Sequence, residues 1–328
     1  MTDRAQMVSD FGTAHGADAK SLHMIAGDAS NRKYYRATRN GRSVILMDAP
    51  PEMGENTEPF IRLATYLRYI GLSAPEILKS DPKHGFLMIE DLGDDLFARL
   101  LEDDAVPEIT LYAAATDLLL HLHQHPAPDV PTYDAELMAD LAALSVDWYA
   151  PAGTDRVGLQ TAMRSQLQTL DKTPRVLIQR DYHAENLIWL PDRAGVARVG
   201  LLDFQDGMLG HPAYDLVSVL QDARRDVPPE IENEMIARYL TGCVLDSQDF
   251  RHAYHLLGLQ RNLRIVGVFA RLWLRDGRPR YVDLIPRVWE FVTRNLDALN
   301  DADLSAVVLD TLPAPTPKEL DRIKGARA

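Results

Sequence analysis

The stretch "IQRDYHAENLIWL" (residues 178–190) decides how this chain folds, and "VGLLDFQDG" (199–207) completes it. The apolar run "VLI" (176–178) leads into the first stretch. Asp181 and Asn186 then stand five residues apart, ahead of the next apolar run, "LIWL". A further apolar run, "VGLL", delivers Asp203. Two carboxylates and an amide therefore stand at the ends of segments apolar enough to be core strands. Carboxylates rarely lie beside a core without a compensating partner. These three positions point to a bound polar group rather than to packing.

Working outward, strands are expected at 175–179, 186–190 and 196–203, with "PDRAG" (191–195) turning between the last two. Upstream, "LHMIA" (22–26), "YYRAT" (34–38), "SVILM" (43–47) and "GFLMIEDL" (85–92) read as strands. Asn40-Gly41 between the second and third of these is a strong hairpin signal. "GDASNR" (27–32) reads as the loop between the first two. Residues 57–70 carry Phe60, Leu63, Ala64 and Leu67 at helical spacing. After Gly93 the periodicity predicts helices over 107–124, 134–149, 155–171, 212–224, 229–241, 247–275 and 283–298. The stretch "HPAPDVP" (125–131) separates the first two of these. The order predicts an α+β fold of two lobes. A β-rich lobe covers 1–92, a mainly helical lobe with a small β island covers 93–312, and a Pro-rich tail covers 313–328, ending in a short surface helix.

Composition narrows the function classes. The 328 residues are 46% hydrophobic and 25% charged, as a packed globular protein requires. A net charge of -13 opposes a nucleic-acid backbone, so no nucleic-acid partner is expected. Cys243 is the single cysteine, so no intramolecular disulfide can form, which suits a reducing cytoplasm. No apolar run approaches the ~20 residues of a spanning helix, and the N-terminal stretch lacks a signal-like apolar core. A cytoplasmic protein without membrane attachment is expected, and no obligate protein partner is evident. His121, His123 and His125 are each two residues from the next, a spacing at which consecutive members do not share a helical face as a metal pair needs.

Phosphoryl transfer from ATP needs the parts that the opening stretches contain. The triphosphate needs Mg²⁺, which takes oxygen ligands. The acceptor hydroxyl needs a carboxylate within hydrogen-bond reach. The transferred group needs charge stabilisation and positioning more than covalent help. Asp181 suits the orienting base, and Asn186 with Asp203 suits the metal. An Asp-x4-Asn spacing alone is weakly specific. Its context, with strands on both sides and a hairpin leading to Asp203, is what sharpens it.

The motifs "GDASNRKYYR", "MDAPP", "EDLG", "RDYHAENL", "LDFQD" and "FARLWLRDG" resemble those of the aminoglycoside phosphotransferase and choline kinase superfamily, which has the protein-kinase-like fold. Within it they are most similar to the bacterial cell-wall amino-sugar anomeric kinases, which act on N-acetylmuramic acid and N-acetylglucosamine. The resemblance runs from about Leu22 to about Asn295. It implies ATP and Mg²⁺ as cofactors, and a small-molecule sugar acceptor phosphorylated at its anomeric hydroxyl. Asp181 matches the catalytic aspartate, and Asn186 and Asp203 match the metal ligands. Gly27, Ser30, Asn31 and Arg32 match the loop over the phosphates, and Glu90 to Leu92 match the connector whose main chain contacts adenine. Asp206 could join the metal shell or cap a turn. Asp215 is expected to hold the catalytic loop through hydrogen bonds. His183, Arg264 and Arg271 are the candidates for acceptor binding, an arginine being suited to a sugar carboxylate.

Two departures from the family pattern stand out. Gln179 occupies a position where many relatives have His. Met47 stands where kinases carry the lysine that grips the α- and β-phosphates, leaving Arg32, Lys33 and Arg36 as candidate cations. Two other readings fit the same residues: an aminoglycoside or other small-alcohol phosphotransferase, and a nucleotide-binding module without turnover.

Overall fold

A computed structural model describes residues 4–27 and 31–326. The chain begins with α1 (Arg4–Ala14), β1 (Ala17–Gly27), β2 (Lys33–Arg39), β3 (Arg42–Asp48), α2 (Glu58–Tyr69), β4 (Ile77–Asp81), β5 (Phe86–Glu90), α3 (Phe97–Glu102) and α4 (Glu108–His123). It continues through α5 (Ala135–Ala142), α6 (Leu144–Trp148), α7 (Arg156–Gln168), β6 (Val176–Ile178), β7 (Leu187–Trp189), β8 (Val199–Leu201) and β9 (Met208–Gly210). It closes with α8 (Ala213–Leu220), α9 (Pro229–Thr241), α10 (Ser247–Leu274), α11 (Ile285–Leu299), α12 (Ala302–Thr311) and α13 (Pro317–Gly325).

Two compact units result. One comprises Met1–Pro128 with Ala184–Gly207, the other Asp129–His183 with Met208–Ala328. The first holds an antiparallel five-stranded sheet in the order β1-β2-β3-β5-β4. Alternation along β3 explains how the sheet is covered. Val44 and Leu46 join Val8 and Phe11 of α1 and Phe86 and Met88 of β5 in one apolar cluster. Ile45 and Met47, also buried, point to the opposite face. The β2–β3 turn uses Asn40 (φ 51°) and Gly41 (φ 74°), the two left-handed residues that a tight hairpin needs. The second unit is built on α10, which packs against α5, α6, α8 and α11. Among the described residues no helix is long and apolar enough to cross a membrane.

The units differ from the lobes expected at 1–92, 93–312 and 313–328. The hairpin β7–β8 belongs with the first unit because its backbone bonds there. Leu201 N–H donates to Ser73 O at 3.0 Å and Trp189 N–H to Asp95 O at 2.8 Å. The Ser73 hydroxyl donates to Ala197 O at 2.6 Å. The tail is not separate either. The Tyr149 hydroxyl donates to Pro313 O at 2.7 Å, the Trp273 indole to Ile323 O at 3.0 Å, and Ile323 is buried.

Several elements went unforeseen. α1 offers only Val8, Phe11 and Gly12 to the interior, too sparse a pattern to read, and β4 is half exposed along "ILKSD". α3 and α12 were also missed. The helix expected over 134–149 breaks at Ala143 into α5 and α6.

Candidate active site

In the first unit, Asn186 closes a short 3₁₀ turn and leads directly into β7. The β7–β8 register pairs Leu187 with Leu201. One step further out, Leu202 N–H donates to Asn186 O at 2.9 Å. The ladder thus delivers Asn186 and Asp203 to the same end of one hairpin. Asp203 adopts φ 53°, a left-handed backbone that a non-glycine residue takes only when its surroundings impose it. Those surroundings are visible. The Gln205 amide donates to Asp203 Oδ1 at 2.6 Å, and Gly207 N–H closes a turn onto Phe204 O at 3.0 Å. Phe204 is buried, with its ring 4.9 Å from Phe60 of α2. An amide oxygen and a carboxylate at one hairpin end suit Mg²⁺, which takes one or two carboxylates and fills its remaining positions with phosphate and water oxygens. No group of three or more His, Cys, Asp or Glu that could hold a metal ion occurs among the described residues.

The phosphate-loop candidates fall at the edge of the sheet. Gly27 ends β1 opposite Lys33, whereas Ser30 lies outside the described residues. Asn31 N–H donates to Glu55 Oε1 at 3.3 Å, and Arg32 Nε donates to Glu55 Oε2 at 2.7 Å. At the connector, Glu90 ends β5. Its N–H is taken by Glu76 O at 2.8 Å and its carboxylate by Arg193 at 2.6 Å and Arg68 at 3.2 Å. The Glu90 side chain is therefore a fastener of the first unit. Leu92 is buried, and a Cβ added to Gly200 of β8 would come within 3.1 Å of it.

In the second unit, Arg180 follows β6 by two residues and takes φ 70°. Gln179 N–H and Arg180 N–H both donate to the Asp215 carboxylate, at 2.6 and 3.0 Å. Asp215 lies wholly buried in the first turn of α8, and burial pushes its carboxyl up to about 7 against the pull of those two N–H groups. The left-handed residue just before Asp181 is thus pinned from below, the role expected for Asp215. The Arg180 guanidinium lies over the Tyr133 ring, 5.2 Å from its centroid. His183 is 7% exposed, and burial pushes its imidazole down to about 4, so it is neutral at neutral pH.

Two arginines of α10 lie close enough to act electrostatically on Asp181. Arg264 donates to the Tyr214 hydroxyl at 3.4 Å, and that hydroxyl meets the Tyr133 hydroxyl at 3.3 Å. Burial works against the Arg264 charge, but Tyr214, Tyr133 and Asp181 outweigh it and hold the guanidinium above its ordinary value. Arg261 is buried, donates to Gln221 O at 3.3 Å, and is lowered by that burial. Arg271 stands apart from this cluster. It lies two helical turns beyond Arg264, about 10 Å along the axis, and the charged groups acting on it are Arg275, Asp276 and Arg264.

Residues 21–254 match the model of the phosphotransferase enzyme family (APH). The chain belongs to this family. It is 40% identical over 336 residues, 89% of this chain and 92% of its relative, to an N-acetylmuramate/N-acetylglucosamine kinase of Caulobacter vibrioides. A protein of the same name from Pseudomonas aeruginosa is 32% identical, covering 81% of each chain. Among solved structures, choline kinase LicA from Streptococcus pneumoniae aligns with a TM-score of 0.64 at 14% identity, covering 89% of this chain and 99% of that one. ADP-bound aminoglycoside phosphotransferase APH(2'')-Ib aligns at 0.62 and 14% identity, covering 90% and 99%. The α+β kinase-like fold expected from the sequence is therefore the fold of this protein.

Within the phosphotransferase family the two departures acquire physical content. Gln179 is 3% exposed, and its main-chain N–H is the donor to Asp215, so the position serves the buried support of the loop. Met47 is 1% exposed and pairs with Tyr34 and Leu87, a core position with no charge to offer. Arg36, one of the three candidate cations, is held by Asp91 and Asp94, with Nη1 2.9 Å from the latter. Its hydrogen bond to Asp94, helped by that to Asp91, raises the guanidinium above its ordinary value against the effect of burial. Glu55, Gln205 and Arg261, which contact or act on candidate residues, carry no functional signal in the sequence. Glu55 and Gln205 lie outside any spaced pattern, and Arg261 reads in sequence as one member of an ordinary arginine stripe.

Proposed function

We propose that this phosphotransferase moves the γ-phosphate of ATP to a sugar hydroxyl, the anomeric hydroxyl of N-acetylmuramic acid or N-acetylglucosamine. The transfer chemistry rests on one observation above others: the Leu202-to-Asn186 hydrogen bond that sets Asn186 and Asp203 at one hairpin end. The acceptor class rests on the shared name of relatives up to 40% identical along most of the chain.

Asp181 accepts the proton of the acceptor hydroxyl and orients its oxygen. Asn186 and Asp203 would hold Mg²⁺ through their side-chain oxygens. When bound, Mg²⁺ supplies charge neutralisation across the phosphate oxygens. Gln205, bonded to Asp203 Oδ1, keeps that carboxylate in one orientation. The connector contributes main-chain groups to the adenine ring. At Glu90 that leaves the carbonyl, because the N–H is already bonded to Glu76. Gly27, Ser30, Asn31 and Arg32 are assigned to phosphate binding. His183, neutral, supplies hydrogen bonds to the sugar rather than charge. Arg264 reads an acceptor carboxylate, because it is the arginine of the original pair that acts on Asp181. Arg271 has the weaker claim. An ATP-dependent kinase of this kind works in the cytoplasm.

The test is an acceptor panel. Purified protein with ATP and Mg²⁺ is offered N-acetylmuramate, N-acetylglucosamine, choline and an aminoglycoside. Phosphorylation of the two amino sugars is expected. Turnover of choline or the aminoglycoside alone would replace the proposed acceptor, and no turnover would favour the nucleotide-binding module. Arg264→Ala sharpens the result. Relative efficiency on N-acetylmuramate should fall roughly tenfold to a hundredfold, one charged hydrogen bond's worth. N-acetylglucosamine, which lacks the lactyl carboxylate, should be nearly unaffected. Equal loss on both sugars would make Arg264 a structural residue.

A further inference from the structure

We infer that Arg32, held by Glu55, is the cation that grips the triphosphate in this chain, in place of a lysine on β3. The inference rests on the kinase reading and adds to it a charged pair drawn from two loops.

The need for such a cation is general. A nucleoside triphosphate brings several negative charges, and kinases meet them with metal ions and a lysine that is itself fixed by a glutamate. β3 cannot supply the lysine, because position 47 is a buried methionine in the middle of the sheet. The other nearby cations lie against other parts of the first unit or stand in solvent. Arg36 lies against Asp91 and Asp94 at the connector. Arg4, the first residue of α1, lies against Asp48 and Glu52. Lys33 is exposed and begins β2.

Arg32 differs from all of these. Its Nε donates to Glu55 Oε2 at 2.7 Å, and the two side chains are only 12% and 13% exposed. A pair so shielded is less screened by salt than a surface ion pair. Glu55 is fastened independently, because its other oxygen accepts from Asn31 N–H at 3.3 Å. The Asn31 side-chain amide also donates to Met53 O at 3.4 Å. The stretch around Glu55 therefore latches both residues that follow the phosphate-loop segment. The Asp206 carboxylate, three residues beyond Asp203, also acts on the Arg32 charge. Glu55, Arg32 and the Asp203–Asp206 turn all belong to the first unit. A guanidinium carries five N–H donors, and Glu55 engages it through Nε. A planar guanidinium matches phosphate oxygens in both geometry and charge. Glu55 thus orders a long side chain before the nucleotide arrives, which lowers the entropic cost of binding.

The test is a phosphate ladder. Affinities for ATP with Mg²⁺, ADP with Mg²⁺, and adenosine are measured by calorimetry on wild type, Arg32→Ala, Arg32→Lys and Glu55→Gln. Nucleotide-induced shifts in melting temperature serve as a second readout. Arg32→Ala should weaken ATP roughly tenfold to a hundredfold, as expected for lost charged hydrogen bonds, and should leave adenosine unchanged. Arg32→Lys should recover part of the ATP loss, and Glu55→Gln should weaken ATP less than Arg32→Ala does. Unchanged ATP affinity in Arg32→Ala would overturn the inference. So would an equal loss on ATP and adenosine, the mark of a purely structural ion pair. Arg32→Lys guards against misfolding: if both Arg32 variants melt like wild type, the ladder reads binding alone. A wild type that binds adenosine and ATP equally well would overturn the inference while leaving nucleotide binding intact. A wild type that binds none of the three would bring down the kinase reading itself.

Discussion

Arg180 and Asp203 make an instructive pair. Each is a non-glycine residue in the left-handed region, and each lies two residues past a three-residue strand. They belong to different compact units and are held by different means. At Arg180 the backbone itself is gripped. A buried carboxylate, Asp215, accepts two successive N–H groups at 2.6 and 3.0 Å. At Asp203 the side chain is gripped. Gln205 donates to it at 2.6 Å, while the neighbouring Leu202 continues the β7–β8 ladder onto Asn186. The difference matches the two proposed roles. A base must present its carboxylate in one place, and the chain fixes the main chain before Asp181. A metal ligand gains from having one oxygen oriented by a donor, so the chain fixes the carboxylate of Asp203 directly.

The largest expected effect separates the two loops by chemistry. Asp181→Asn keeps the shape and removes the base, so turnover should fall by roughly 10²–10⁴ while ATP affinity stays close to that of wild type. Steady-state turnover alongside calorimetric ATP binding checks both halves. Near-normal turnover would remove Asp181 from the chemistry.

Asp203→Ala should do the reverse. ATP affinity in the presence of Mg²⁺ should drop roughly tenfold to a hundredfold, and the difference between ATP affinity with and without Mg²⁺ should shrink. Titrating ATP at zero and saturating Mg²⁺ measures this. A variant with the same Mg²⁺ dependence as wild type would break the contrast between the loops.

Asp215→Asn tests the support beneath Arg180 and carries the smallest effect. The amide can accept only one of the two backbone N–H groups well, so a loss of about 1–3 kcal/mol of stability is expected, with turnover reduced less than in Asp181→Asn. The pH dependence supplies a sharper signature. The folded Asp215 carboxyl is raised to about 7 from an ordinary value of 3.8. Between those values the folded chain keeps a proton that the unfolded chain has lost. The stabilisation from this group is fully present below pH ~4 and is lost as pH rises through about 7. Buried His183 and His211, both lowered to about 4 from 6.5, act in the opposite sense, stabilising above 6.5 and losing that as pH falls. Comparing wild type with Asp215→Asn cancels the histidines. The wild-type advantage in melting temperature should narrow from pH 4.5 to pH 7.5, and a constant gap would show that Asp215 does not titrate in that range.

Much of this protein is legible in its residues alone. The apolar run in "SVILM" and the Asn40-Gly41 turn dictate the central strands of the sheet, because strand burial and tight-turn backbone angles are local properties. The spacing from Asp181 through Asn186 to Asp203 announces the polar ends of three short strands, and the family resemblance covers the same positions. Tertiary structure alone decides what lies far apart in sequence. It brings Asp215 under Arg180 across 35 residues, Glu55 onto Arg32 across 23, and Arg4 onto Glu52 across 48. It also returns the β7–β8 hairpin to the first unit, where the composition of the surrounding chain suggests the second. Along α10 the stripe of Arg261, Arg264, Arg271 and Arg275 looks uniform in sequence. Folding buries Arg261, couples Arg264 to Tyr214, and leaves Arg275 paired with its neighbour Asp276. Charge pairing and burial depend on which segments meet, and no local pattern of residues encodes that meeting.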